Sequence, residues 1–285
     1  MKKYGLIIAL VVVLIPVCGF AATVVPAPAL SAKGVAVYGW NEGDTEPTPL
    51  YLKNEHRLYP IASLTKLVTA KVAEELYDKD TLFTISKKAV ATYGVTNGIQ
   101  VGAQFTRDDL LKALLVNSSN DAATALMERV GTKTFLEKMN TVLHTNKYTM
   151  TSFVNPSGLD PIQKNIKPNR MTPYHLTRLL NDIYQSDPLL AELMSKDVVE
   201  ITNLKTNTTS LLKQTNILYR DEAYKDKIVM SKTGLTNLAG QNVAFISPGN
   251  DEYEYISVVI LGSKSRAADS RKLIDWINSS QTLGG

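Results

Sequence analysis

One cysteine is the whole thiol content of this 285-residue sequence, and its histidines number three. Cys18 lies in an N-terminal apolar run, so no intrachain disulfide can form and a thiolate metal site lacks its ligands. His56, His144 and His175 are far apart without ligand spacing, so neither a metal nor another cofactor is expected. A dense basic patch is missing too. The 31 Lys and Arg against 27 Asp and Glu are scattered along the chain, which gives a nucleic-acid partner little support. No internal repeat occurs, and no linker follows residue 33. What is present, 44% hydrophobic and 20% charged residues, describes a globular chain able to bury a large core.

The one long apolar run sits at the N-terminus. Residues 1–22, MKKYGLIIALVVVLIPVCGFAA, join two lysines, an apolar stretch and small residues, with Gly19 and Ala21 placed to precede a cut. That is the order of an export signal. An uncleaved anchor or a lipidated Cys18 are the alternatives. Each puts residues 33–285 outside the cytoplasmic membrane, secreted or attached to its outer face through the N-terminal segment alone. A Pro/Ala tether occupies residues 23–32, and residues 33–285 form one catalytic-sized unit.

Hydrophobic periodicity divides that unit. GVAVYGW (34–40) and PLYLKN (49–54) read as strands around a polar turn. After Pro60, IASLTKLVTAKVAEELYD has helical spacing. From about 80 to 215 the pattern is helices separated by turns, one of them opening at Thr106 with Asp108 and Asp109 in its first turn. YKDKIVMSKTG, LAGQNVAFISPG and EYEYISVVILGS then read as antiparallel strands, and RAADSRKLIDWINSS as a closing helix. Strands at both ends with helices between them predict an α+β fold. An antiparallel sheet of about five strands is assembled from distant parts of the chain and flanked by helices, beside a mostly helical lobe.

Three short motifs carry chemistry. In SLTK, a helix brings Ser63 and Lys66 onto one face, so the amine can reach the hydroxyl. A partly desolvated lysine can lose enough basicity to take a serine proton. A solvated lysine on an amphipathic helix is the plainer reading. In VNSSND, Ser118 and Asn120 interrupt an apolar helix and open another. There they can relay a proton and orient a carbonyl, although capping alone predicts the same residue types. In MSKTGLTNLAG, Lys232 supplies positive potential and Thr233 a hydroxyl for a carboxylate. Gly234 lets an extended peptide approach the strand edge. A lysine and a glycine at a strand end are otherwise commonplace.

Each motif is weak alone; the three in this order are not. The set resembles that of penicillin-binding proteins and class A β-lactamases. ASLTK (62–66), NSSNDAA (117–123), FVNPSGLD (153–160) and SKTGLTNLAG (231–240) narrow the resemblance to the serine-type, low-molecular-mass D-alanyl-D-alanine carboxypeptidases of peptidase family S11. It covers roughly residues 33–280 and implies the serine β-lactamase/DD-peptidase fold.

The resemblance implies that Ser63 attacks the carbonyl between two D-alanines of a peptidoglycan stem peptide, and that water hydrolyses the acyl-enzyme. Lys66 would take the Ser63 proton, with Ser118 and Lys232 passing one to the leaving amine. Which lysine is the working base stays open. Asn120 would hold the substrate amide, and Thr233, with Arg266, its terminal carboxylate. The oxyanion would lie between the amides of Ser63 and Leu235, beside Gly234. β-Lactams would acylate Ser63 and inhibit. A D,D-endopeptidase shares every motif, and a β-lactam sensor is the non-enzyme alternative. A β-lactamase is disfavoured because residues 153–170 hold no glutamate for deacylation and carry Asp160 instead.

Overall fold

The computed structural model describes residues 26–94, 96–148 and 151–281. The segment expected to direct export and the first residues of the expected tether lie outside the described residues. Strands β1 (Gly34–Trp40), β2 (Thr48–Lys53) and β3 (Tyr59–Pro60) lead through a 3-10 turn, Ala62–Thr65, into α1 (Lys66–Leu76). There follow β4 (Leu82–Thr84), α2 (Lys87–Val90), β5 (Gln104–Thr106), α3 (Arg107–Leu115), α4 (Asn120–Val130) and α5 (Thr132–Thr145). The chain continues through β6 (Arg170–Met171), α6 (Pro173–Ser186), α7 (Pro188–Ser195) and the hairpin β7 (Val198–Asn203) and β8 (Thr208–Lys213). Last come β9 (Met230–Thr236), β10 (Gly240–Pro248), β11 (Tyr255–Ser263) and α8 (Arg266–Gln281).

The expected sheet is present, a five-stranded antiparallel one in the order β2-β1-β11-β10-β9. Its first strand pairs with its last in sequence, Val35 opposite Ile260 and Val37 opposite Val258. Every residue of β1 and β11 is buried, because both faces of the sheet are covered. Alternation along a strand sends neighbours to opposite faces. Val35, Val37, Val258 and Ile260 pack with Leu273, Ile274 and Ile277 of α8. Ala36, Tyr38, Val259 and Leu261 join the core that α1 and α6 build with Leu67, Val68, Leu176 and Leu180. Each such fully buried aliphatic side chain contributes about 1.5–3 kcal/mol. Strand β9 is left at the sheet's edge.

Local signals set the helix starts. Thr106 accepts from the Asp109 amide (3.1 Å), Ser119 from Ala122 (3.0 Å) and Thr172 from His175 (3.1 Å). These are side-chain caps on otherwise unsatisfied amides. Pro173 follows at the first helical position, where a missing N–H costs nothing.

Three stretches differ from the sequence expectation. The region expected to hold helices up to 215 contains the short strands β4, β5 and β6 and ends in the β7–β8 hairpin. Val199, Ile201 and Leu212 join that hairpin to the core, and buried Asn203 accepts from the Gln104 amide (3.1 Å), while Val198, Leu211 and most of the polar residues face outward. The strand expected from residue 224 starts at Met230, since Lys225–Lys227 turn as a 3-10 segment. Among the described residues, no helix is long and apolar enough to cross a membrane.

Candidate active site

Ser63 lies in the 3-10 turn that delivers β3 into α1. The preceding Ala62 has φ +50°, a left-handed conformation that costs a residue with a Cβ on the order of 1 kcal/mol. Neighbouring bonds hold it there. The Ile61 amide donates to the Asn169 carbonyl (3.1 Å), and Asn242 Nδ2 donates to the Pro60 carbonyl (3.0 Å).

Lys66, the first residue of α1, is completely buried. Its Nζ lies 2.8 Å from Ser63 Oγ, 2.7 Å from Asn120 Oδ1 and 2.8 Å from the Ser157 carbonyl. Burial lowers its pKa to about 7, because a charged amine loses its hydration there. The neighbours match a neutral amine. Two are carbonyl oxygens that only accept, so they take its two N–H groups and leave the lone pair to the Ser63 hydroxyl. The Asn120 amide is itself oriented, since its Nδ2 donates to the Tyr93 carbonyl (2.6 Å) and turns Oδ1 towards Lys66.

Ser118 sits between α3 and α4 with φ +63°, and its hydroxyl lies 2.8 Å from Lys232 Nζ. Lys232, on β9, is fully buried and also donates to the Thr233 carbonyl (3.1 Å). Burial drives its pKa well below the lysine range, and the positive charges of Lys66 and Arg266 push in the same direction. Among the described residues no carboxylate bonds to Lys66, Lys232 or Arg266. The Arg266 guanidinium therefore leaves the cleft an uncompensated positive charge.

Strand β9 passes directly against the serine turn. A Cβ on Gly234 would stand 2.8 Å from the Ile61 oxygen and 3.1 Å from the Ser63 nitrogen, so only glycine allows that approach. Arg266 opens α8 and reaches back to donate to the Gly234 carbonyl (3.2 Å). The Leu235 side chain points to solvent, 62% exposed, and offers the cleft no polar group.

Eight of the nine residues expected from the sequence thus form two hydrogen-bonded sets joined by the β9 end: Ser63, Lys66 and Asn120, then Ser118 and Lys232, with Thr233, Gly234 and Arg266 beside them. Leu235 adjoins them only through its backbone. No hydrogen bond links Ser63 to Ser118 or Lys232 among the described residues.

The sequence reading missed the Ser157 carbonyl, because an acceptor on the backbone leaves no trace in residue type. Its segment is fixed by Asn155 Oδ1, which accepts from the Gly158 amide (2.7 Å), and by Asn169 Nδ2, which donates to the Asn155 carbonyl (2.8 Å). Asp160 latches the same segment to the β9–β10 turn. It accepts from Thr236 Oγ1 (2.7 Å) and the Leu238 amide (3.0 Å). Outside the three motifs, the Thr215 hydroxyl lies 2.5 Å from that of Thr233.

Known proteins resemble this chain in sequence and in fold. A D-alanyl-D-alanine endopeptidase from Pseudomonas aeruginosa is 30% identical over 239 residues, 81% of this chain and 74% of that protein. The D-alanyl-D-alanine carboxypeptidase DacD of Salmonella typhimurium is 28% identical over 269 residues, 87% of this chain and 63% of that protein. The solved structure of penicillin-binding protein D2 from Listeria monocytogenes in its ampicillin-bound form is 28% identical, with a TM-score of 0.72 over 88% of this chain and 98% of that one. Residues 24–264 match the Peptidase_S11 family, described as D-alanyl-D-alanine carboxypeptidase, and the chain belongs to that family.

Proposed function

We propose that this protein is a serine D,D-carboxypeptidase that removes the terminal D-alanine from peptidoglycan stem peptides through an acyl-enzyme on Ser63. The carrying observation is the contact between Lys66 Nζ and Ser63 Oγ at 2.8 Å, made by an amine whose pKa burial lowers to about 7. Ser63 Oγ attacks the carbonyl carbon of the penultimate D-alanine while Lys66 takes its proton. The amides of Ser63 and Leu235 hold the oxyanion. As the C–N bond breaks, the Ser118–Lys232 pair delivers a proton to the departing amine. Water then attacks the ester, and the shortened peptide leaves with Ser63 restored.

Asn120 holds the substrate amide, while Thr233 and Arg266 receive the terminal carboxylate. β-Lactams carry a carboxylate and an acylating carbonyl in the same relation, so they enter the same site and stop at the ester. The enzyme works outside the cytoplasmic membrane, in keeping with the export pattern of residues 1–22.

A second reading, D,D-endopeptidase action on crosslinked peptidoglycan, draws on the P. aeruginosa, Escherichia coli and Haemophilus influenzae relatives described as endopeptidases. The test is D-alanine release from diacyl-L-Lys-D-Ala-D-Ala, beside cleavage of a purified crosslinked muropeptide dimer, by the protein and its Ser63→Ala variant. Release lowered at least about a thousandfold by Ser63→Ala supports the carboxypeptidase. Cleavage of the dimer without release of D-alanine moves the assignment to the endopeptidase. Release that survives Ser63→Ala defeats both.

A further inference from the structure

We propose that Thr215 is a second carboxylate-binding residue, its hydroxyl forming with that of Thr233 a two-hydroxyl clamp for the carboxylate next to the scissile bond. This inference rests on the D,D-peptidase reading and names a residue that reading does not contain. A carboxylate has two oxygens and, out of water, needs several donors. Thr233 supplies one hydroxyl. Leu235, two positions further along β9, supplies no side-chain donor. Arg266 spends one N–H of Nη1 on the Gly234 carbonyl and offers the carboxylate its other donors. The Thr215 hydroxyl, 2.5 Å from Thr233 Oγ1, is the next polar group at this strand end.

Its position is built. The Thr215 amide donates to Gln214 Oε1 (2.8 Å) and to the Val116 carbonyl (3.3 Å), which leads directly to the Ser118 loop. Gln214 is buried, and its carbonyl accepts both Nη1 and Nη2 of Arg220 at 3.1 Å. On the other side, buried Asn216 donates to Ser231 of β9 (3.2 Å). Residues 214–216 are thereby stapled between the Ser118 loop and β9, and Thr215 is half-buried between two fixed neighbours.

Between two hydroxyls this close, one proton lies along the line joining them; the Thr215 hydroxyl also lies 3.4 Å from Gln214 Oε1 and donates there whenever Thr233 donates to Thr215. An arriving carboxylate exchanges these neutral bonds for two charge-assisted ones, which are shorter and roughly twice as strong. The Arg266 guanidinium, with no carboxylate bonded to it among the described residues, favours the exchange.

The test compares diacetyl-L-Lys-D-Ala-D-Ala with its C-terminal amide as substrates for the wild type, Thr215→Val, Thr215→Ala and Thr215→Ser. Benzylpenicillin and its methyl ester serve in parallel as acylating agents. Losing a hydrogen bond to a charged group costs about ten- to a hundredfold. Thr215→Val and Thr215→Ala are expected to lower kcat/KM for the free carboxylate by about that factor, mainly through KM, and to leave the amide within about twofold. Thr215→Ser restores the carboxylate preference. Equal losses on both peptides, or none on either, overturn the proposal. If Thr215→Val does not fold, Thr215→Ala decides. If the wild type releases no D-alanine, the D,D-carboxypeptidase reading fails instead. The ratio of acylation by benzylpenicillin to acylation by its ester then decides the role of Thr215 on its own.

Discussion

Gly158 lies beneath Ala62 so closely that any Cβ at position 158 would overlap the Ala62 carbonyl. Both residues have left-handed backbones, φ +81° and +50°, and each makes room for the other. Their contact sets the height of the serine turn above the segment whose Ser157 carbonyl binds Lys66. Gly158→Ala forces a backbone against a backbone, which no rotamer change relieves. The variant is expected to lose about 3 kcal/mol or more of stability. Labelling of Ser63 by a fluorescent penicillin should fall with it, and thermal melting beside labelling checks both.

The lowered pKa of Lys66 predicts a pH–rate profile. The amine must be neutral to accept the Ser63 proton, so acylation by benzylpenicillin should rise with pH and level off above a midpoint near 7. Lys66→Arg keeps a charge at this position at every working pH. It should lose acylation at least about a thousandfold and with it the rising limb. Stopped-flow acylation between pH 5.5 and 8.5 measures this.

The same lysines make stability depend on pH. Folding lowers the pKa of Lys66 from lysine's ordinary 10.5 to about 7, and lowers that of Lys232 as well. Within that window the unfolded chain holds more protons than the folded one, so stability grows as pH rises. Buried tyrosines reverse the trend. Tyr38 and Tyr77 are pushed up to about 12 by burial, so above tyrosine's ordinary 10.0 the folded chain is the one that keeps its protons. Urea midpoints should therefore climb from pH 7.5, peak between about 9 and 10, and fall beyond. A flat profile from 7.5 to 9.5 would contradict the burial of two uncompensated amines.

Asp160 bears on the fate of the acyl-enzyme. Both of its oxygens are engaged, by Thr236 Oγ1 and by the Leu238 amide, and no carboxylate bonds to Ser63 or Lys66 among the described residues. Among the described residues no carboxylate is thus placed at Ser63 to activate the water that would hydrolyse a penicilloyl ester. Penicillin should leave an adduct on Ser63 that lasts minutes or longer, followed by intact-protein mass. An adduct that clears within seconds would point to a β-lactamase.

Much of the architecture was legible because burial follows period. β1 and β11 run apolar where both faces are covered, and α6 shows its stripe, whereas β9, MSKTGLT, was readable from its motif and not from its period. The β7–β8 hairpin was not legible, since three inward aliphatics among threonines and lysines make too thin a signal. At the site, residues that act through side chains in named motifs were readable. The Ser157 carbonyl, and Thr215 outside every motif, were not; their roles come from where the chain folds back, which local spacing does not encode.

The pairing of β1 with β11 has a consequence in time. Residues near the start of the sheet wait for a partner that is made last, and Ser63 waits likewise for Lys232. Contacts so distant along the chain form late and slowly. On the proposed mechanism, the polypeptide emerging during synthesis holds Ser63 before it holds Lys232, Thr233 and Gly234 of β9, so a chain stalled ahead of that strand is expected to be inert rather than a weakened enzyme.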